Sequence, residues 1–299
     1  MLLPIHQPFD LHSTLFSGQA FRWRPNGDWS EGIVFNNVVR LRHVEGGIEF
    51  LSAPDDEAAL ESLIRDYLGL DRDIEGVYGS LELDDRLTAS IARYKGMRIL
   101  RQDPWECLVS FLMAQASNIP RITKNVEDIC KTFGRPIEVS ARAEPFGGAQ
   151  DRPVEARPHG FPTPSELARA TVDALWDLRL GYRARFISAA AQAVDSGKVD
   201  LMALREDPYE AALDTLMSLD GVGDKVANCV LLFSLDKMEA FPVDVWIERA
   251  LQEWYLNGKG QKLTRPKMRL WAHDYFGVYA GYANHYLFHD RRLQGKTSS

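Results

Sequence analysis

The sequence is short of cysteine, of long apolar runs and of net positive charge. Its 299 residues include three cysteines, Cys107, Cys130 and Cys229. Their wide spacing supports neither a disulfide framework nor a zinc site. Three thiolates also fall short of a four-cysteine iron–sulfur cluster. A reducing, intracellular setting is therefore expected. The longest apolar stretch, Val226 to Leu235, is interrupted and far below the ~18 residues a membrane span needs. Met1 to His6 carry no basic segment and no long apolar region, so no secretory signal is expected. Lys and Arg number 35 against 42 Asp and Glu, for a net charge of −7. That balance argues against diffuse nucleic-acid binding over a basic surface.

What is present reads as an ordinary globular chain, 45% apolar and 26% charged. The length suffices for two or three modules with substantial cores. Charge is spread unevenly. Acids crowd Asp55 to Glu57, Asp71 to Glu75 and Glu82 to Asp85. Bases crowd Arg179 to Arg185, Lys259 to Arg269 and Arg291 to Lys296. A cleft beside a basic face can still hold a polyanion locally.

From Leu11 to Leu51 the pattern predicts short strands. Phe21 to Arg24 precede the turn signal Pro25-Asn26-Gly27-Asp28, then Trp29 to Phe35 runs to Asn36-Asn37, a pair suited to left-handed turn conformations. Val38 to His43 alternates, Glu45-Gly46-Gly47 turns, and Ile48 to Leu51 closes an antiparallel meander. Helices are predicted over Asp56 to Tyr67 and Asp84 to Tyr94. The expectation is an α+β chain. An N-terminal domain, residues 1–97, holds the antiparallel sheet, and a mostly helical region of two subdomains fills 98–299.

Trp105, Leu108, Val109, Leu112 and Met113 share one apolar helix face after Pro104. Gln115 to Arg121 interrupts it, and Ile122 to Phe133 resumes a helix. Gly134 to Pro164 has no sustained period and reads as a long loop. Thr163-Pro164-Ser165-Glu166 has the form of a capped helix start, continued by Leu167 to Leu175. A further helix is expected over Phe186 to Ala193. Leu256 to Lys267 reads as a basic, polar linker, and closing helices span Trp271 to Phe276 and Tyr279 to Arg292.

Asp214 to Arg249 concentrates the chemistry. Leu213, Leu216, Met217 and Leu219 fall at helical spacing. Gly221-Val222-Gly223 breaks that helix, and Asp224 is the expected N-cap of a second one running from Lys225 to Leu235. Backbone N–H groups at such a hairpin and helix start suit a phosphate. Gly-x-Gly alone can equally be a turn between core helices. Lys225 is unusual as a structural residue, because a helix N-terminus disfavours a cation. Phe241-Pro242-Val243-Asp244-Val245 places one carboxylate in an apolar stretch, where it needs a partner or a helix N-terminus.

Leu219 to Cys229, followed by Pro242-Val243-Asp244, resembles the helix-hairpin-helix, Gly/Pro-Asp superfamily of DNA glycosylases, in its lysine-bearing, bifunctional form. Three more stretches are similar to the 8-oxoguanine DNA glycosylases: Ser17 to Trp23, Leu180 to Arg185 and Gly277 to Asn284. The resemblance covers about Gly18 to Leu293. It implies a TBP-like N-terminal domain and a helix-hairpin-helix motif at about 213–235. It also implies a monomer acting on double-stranded DNA that contains oxidised guanine, with no cofactor and no metal in the chemistry. Lys225 is then the nucleophile and Asp244 the carboxylate that orients it and balances charge developing on the sugar. Gly221, Val222 and Gly223 form the phosphate hairpin. Gly18, Cys229, Asn284 and Phe288 recognise the base. The Gly18 carbonyl can accept from the N7–H of 8-oxoguanine, where guanine presents an acceptor. Tyr182 is the wedge, and Asn118, Arg121 and Arg183 contact the orphaned base or the backbone.

Three positions depart from the family pattern. Ala116 stands where an inserting asparagine is expected, which points to relaxed selectivity for the opposite base. Trp246 replaces a frequent histidine. Asn284 is one methylene shorter than the expected glutamine. Two other readings stay open on sequence: a monofunctional glycosylase for alkylated bases that uses Asp244 and water, and a non-catalytic helix-hairpin-helix DNA-binding protein.

Overall fold

The computed structural model describes residues 1–139, 158–257 and 263–297. Most of the loop expected over 134–164, and part of the basic linker, lie outside these. Five strands, β1 (Leu2–Pro4), β2 (Arg24–Asn26), β3 (Trp29–Val34), β4 (Asn37–Val44) and β5 (Gly47–Ala53), form one antiparallel sheet in the order β1-β5-β4-β3-β2. The meander is as expected, with local corrections. Leu11–Phe16 is a helix, α1, because Asp10 caps it by accepting from the Ser13 N–H. Phe21 to Trp23 lie outside the strands, and β1, unread in the sequence, pairs with β5. The β3–β4 turn is made by Phe35 and Asn36, at φ 46° and 64°, one residue earlier than the Asn36-Asn37 pair suggested. Asn37 is instead a strand residue whose side chain holds Asp55.

Helices α2 (Glu57–Tyr67), α3 (Ile74–Leu81) and α4 (Asp85–Arg93) follow, capped by Asp56, Asp73 and Asp84. The acidic clusters thus serve partly as caps; α3 lacks a long enough apolar period to be read in advance. The helical region contains α5 (Pro104–Met113), α6 (Ile119–Phe133), α7 (Pro164–Arg169), α8 (Val172–Leu175), α9 (Arg183–Asp195), α10 (Tyr209–Met217), α11 (Asp224–Ser234), α12 (Val245–Trp254), α13 (Arg265–Phe276) and α14 (Ala280–Thr297). Thr163 and Glu166 form the expected reciprocal capping box. The single helix expected to continue to Leu175 is broken at Ala170, whose backbone is extended, and Thr171 caps α8 afresh.

The apolar core has two main parts. One lies under the sheet and includes Leu15, Val39, Leu41, Ile48, Phe50, Ile64 and Leu68. The other, much larger, joins α3 and α4 to the whole helical region. Each fully buried large side chain in it contributes about 1.5–3 kcal/mol. The end of α14 is tied to the N-terminal half by polar contacts as well. Tyr286 meets Tyr78, hydroxyl to hydroxyl at 3.1 Å, and Asp290 pairs with Arg93. The pocket described next lies where α5, α11, α12, α14 and the turn after α1 converge.

Candidate active site

The hairpin between α10 and α11 is set by Gly221. Its φ is +79°, and a Cβ there would lie 2.3 Å from the Phe186 ring. Glycine is thus required twice, for the turn and for the packing beneath it. The Gln115 side chain clamps the hairpin by donating to the Gly221 carbonyl at 3.0 Å. The helix cap differs from expectation. Gly223, not Asp224, occupies the N-cap, and no side chain caps the helix start. Asp224 lies in the first turn and pairs with Arg269 at 3.0 Å. The first N–H groups of this helix have no partner within it. Among the described residues, nothing lies within 4 Å of a Cβ built on Gly223.

Lys225 follows directly. Half-buried, it turns into a pocket it shares with Asp244, Cys229, Gly18, Asn284 and Phe288, which holds about 390 Å³ of space, its mouth included. Its Nζ lies 4.7 Å from the Phe111 ring centroid, over the aromatic face. Asp244 is the N-cap of α12 and accepts from the Ile247 N–H at 2.8 Å. The lone acid therefore has the helix N-terminus it needed. One carboxylate oxygen is committed to that bond.

Two buried asparagines hold the Phe241 to Asp244 segment, Asn228 against α11 and Asn284 against α14. Asn228, fully buried one turn after Lys225, accepts from the Phe241 N–H at 3.2 Å and from the Tyr209 hydroxyl at 2.7 Å. Asn284 donates from Nδ2 to the Pro242 carbonyl at 2.9 Å. Asn228 was not singled out in the sequence. Its only signal was an amide in the middle of an apolar helix, which must find partners when buried.

In the same pocket, Gly18 has φ +98°, and a Cβ there would come within 2.9 Å of Ile119 and 3.7 Å of Phe288. The turn is pinned by Gln19, another residue unread in advance. The Gln19 amide donates to the Thr14 and Arg98 carbonyls and accepts from the Leu100 N–H, all at 2.8–2.9 Å. Arg292 adds a bond to the Phe16 carbonyl at 2.7 Å. Cys229 is buried, and burial pushes its thiol pKa up to about 11, although the nearby Lys225 pulls the other way. A protonated thiol is a poor nucleophile, so the amine of Lys225 is the better candidate in this pocket. Among the described residues no cluster of three or more His, Cys, Asp or Glu is arranged to hold a metal ion.

The rim is formed by the turn after α5 and the turn before α9. Tyr182 is 44% exposed, with its ring edge-on to Phe186. Arg121 is exposed and reaches the Arg179 carbonyl at 3.5 Å. Asn118 caps α6 by accepting from the Arg121 N–H at 3.0 Å. Ala116 is exposed at φ +46°, a conformation that asparagine tolerates better than alanine. Arg183 departs from the expectation of a duplex contact. It is buried, and its guanidinium donates to the carbonyls of Gln115, Ala116 and Leu180. A guanidinium that close to three carbonyls is spent on holding the rim together.

A lysine at a helix start without a side-chain cap thus lines one pocket with a capping aspartate, within a helix-hairpin-helix frame. The chain belongs to the HhH-GPD superfamily of base excision DNA repair proteins, matched over residues 109–273, and carries an 8-oxoguanine DNA glycosylase N-terminal domain at residues 2–108. It is 30% identical to a probable N-glycosylase/DNA lyase of Methanothermobacter thermautotrophicus over 99% of this chain and 97% of that protein. The solved structure of MBOgg1 in complex with a low-affinity DNA ligand superposes with a TM-score of 0.87 at 34% identity, covering 98% of this chain and 96% of that one. The Clostridium acetobutylicum 8-oxoguanine glycosylase/lyase, bound to double-stranded DNA with cytosine opposite 8-oxoguanine, gives a TM-score of 0.85 at 26% identity, covering 99% of this chain and 98% of that one.

Proposed function

We propose that the protein removes 8-oxoguanine from duplex DNA and then nicks the strand through an imine on Lys225. The observation that carries this reading is the shared pocket: Lys225, Asp244 and Cys229 on one side, Gly18, Asn284 and Phe288 on the other. The relatives described above, named as 8-oxoguanine glycosylases and N-glycosylase/DNA lyases, support it. Extruding a base costs a few kcal/mol of stacking, part of which Tyr182 recovers by entering the gap. The Gly18 carbonyl accepts the N7–H of the lesion. Undamaged guanine presents a lone pair there, and an unmatched buried acceptor pair costs about 1–3 kcal/mol.

In the chemical step the Lys225 amine attacks C1′ as the C1′–N9 bond breaks and the base leaves with its electron pair. Asp244 balances the positive charge that develops on the sugar. Ring opening gives a protonated imine joining Lys225 to C1′. The imine acidifies C2′; loss of a C2′ proton expels the 3′ phosphate by β-elimination. Water then hydrolyses the imine and returns the amine. Phosphates flanking the lesion sit on the hairpin at Gly221 to Gly223, on the N–H groups of Gly223 and the first turn of α11, since the Val222 N–H is held by the Leu219 carbonyl.

Borohydride trapping on a duplex with one 8-oxoguanine, using wild type and Lys225→Gln in parallel, tests the reading. A covalent adduct with wild type only is expected. Base release without an adduct would instead indicate a water-using monofunctional enzyme. Absence of both on every lesion tried would leave DNA binding alone.

A further inference from the structure

His285 follows Asn284 on α14 and lines the same pocket. It is 2% exposed, and its Nε2 is buried with no hydrogen-bond partner among the described residues. Buried polar atoms are rarely left this way, since the group forfeits its water and gains nothing in return. The ring is held edge-on against Phe233, with centroids 5.5 Å apart. Burial, reinforced by the charges of His289 and Arg292, pushes its pKa down to about 3, so the imidazole is neutral at physiological pH. A neutral imidazole offers one donor and one acceptor.

Its neighbour is poorly placed to read the base alone. Asn284 is short, and its amide nitrogen already donates to the Pro242 carbonyl. The Watson–Crick edge of an 8-oxoguanine presents two donors, N1–H and the 2-amino group, and one acceptor, O6. One asparagine committed to the Pro-Val-Asp turn leaves part of that edge without a partner.

We propose that His285 is a specificity-determining residue, whose Nε2 hydrogen-bonds the Watson–Crick edge of the extruded purine beside Asn284. The inference rests on the 8-oxoguanine reading of this pocket. Among the described residues Nε2 has no partner, and the correct base supplies one. A base that cannot match the imidazole leaves two buried groups unpaired, which is how a polar site discriminates strongly.

The test compares wild type, His285→Phe and His285→Gln in single-turnover assays on two duplexes. One carries 8-oxoguanine; the other carries a preformed abasic site, which has no base to read. For His285→Phe, the ratio of 8-oxoguanine excision to abasic-site nicking should fall tenfold or more; His285→Gln, which keeps a donor and an acceptor, should recover part of it. An unchanged ratio, or equal loss on both substrates, would overturn the inference. Should the phenylalanine variant fail to fold, the His285 Nε2 nitrogen resonance in the Lys225→Gln protein decides. It should move on binding an 8-oxoguanine duplex and not on binding one with a tetrahydrofuran abasic analogue; the same shift with both would overturn the inference. If wild type excises no 8-oxoguanine, the reading of the pocket fails first and takes this inference with it. If wild type excises it and the ratio is unmoved, only the role of His285 fails.

Discussion

The floor of the pocket and its rim differ in what their polar groups are bonded to. On the floor, Asn228 and Asn284 tie the segment ending at Asp244 to α11 and α14 through buried bonds of 2.7–3.2 Å. The groups proposed to do the chemistry are then left with capacity to spare: Lys225 over Phe111, and the second oxygen of Asp244. On the rim, Arg183 is used up inside the protein as a loop clamp, and the Asn118 side-chain oxygen is taken by the helix cap. What the rim turns outward is Tyr182, Ala116, Arg121 and the rest of the Asn118 side chain. An aromatic ring, a methyl group, one guanidinium and an asparagine with its oxygen already committed can fill a gap in a duplex, but they read little of the opposite base. On the proposed function, the floor is pre-organised for one base and one reaction, and the rim for any duplex that opens.

The comparison breaks most readily at its centre. Lys225→Gln should abolish strand nicking and imine trapping while duplex binding persists, as measured by gel shift. Next comes Asn228→Ala. It strands the Phe241 N–H in the core and leaves the Tyr209 hydroxyl bonded to Arg269 alone, and should cost about 1–3 kcal/mol in urea unfolding. Excision should fall further than binding, because Asp244 loses its support. If excision survives that change intact, the floor is not held as described.

Gly221→Ala introduces both a strained φ and a contact with Phe186, and should destabilise by about 1–3 kcal/mol. Adding Phe186→Ala removes the contact but not the strain, so thermal unfolding should show only partial recovery. Tyr182→Ala tests the rim. Stability should change by less than about 0.5 kcal/mol, since the ring is exposed. Excision should drop ~10–100-fold, the stacking energy of one aromatic on bases. The smallest effect is expected from Ala116→Asn. Asparagine suits the positive φ at this position, so the fold should accept it, and one new hydrogen bond to an orphaned cytosine is worth about 2–10-fold in rate. Wild type should cleave opposite all four bases at similar rates, and the variant should favour cytosine. A strong preference for cytosine already present in wild type would sink the claim that the rim is unselective.

Much of the hairpin was legible because its constraints are local. Gly-x-Gly, a lysine in the first turn and Pro-Val-Asp at a helix start each follow from what a few neighbouring residues can do. Even so, the N-cap moved from Asp224 to Gly223. Asp224 has a tertiary partner, Arg269, 45 residues away, that sequence spacing does not reveal. Arg183 was misplaced for a similar reason. An arginine in a basic cluster reads as a surface group, and only the three carbonyls converging on it make burial tolerable.

The amino-acid sequence by itself determined the meander, most of the helices, and the residue types of a lysine-based site. These depend on periodicity, turn chemistry and capping, which act over a few residues. Only the tertiary structure decided which side chains meet. It brought Gly18 within reach of Phe288 across 270 positions, set Asn228 against Phe241, and left the Nε2 of His285 in the pocket without a partner. Contacts of that kind depend on how α5, α11 and α14 pack, and packing is settled by the whole core at once.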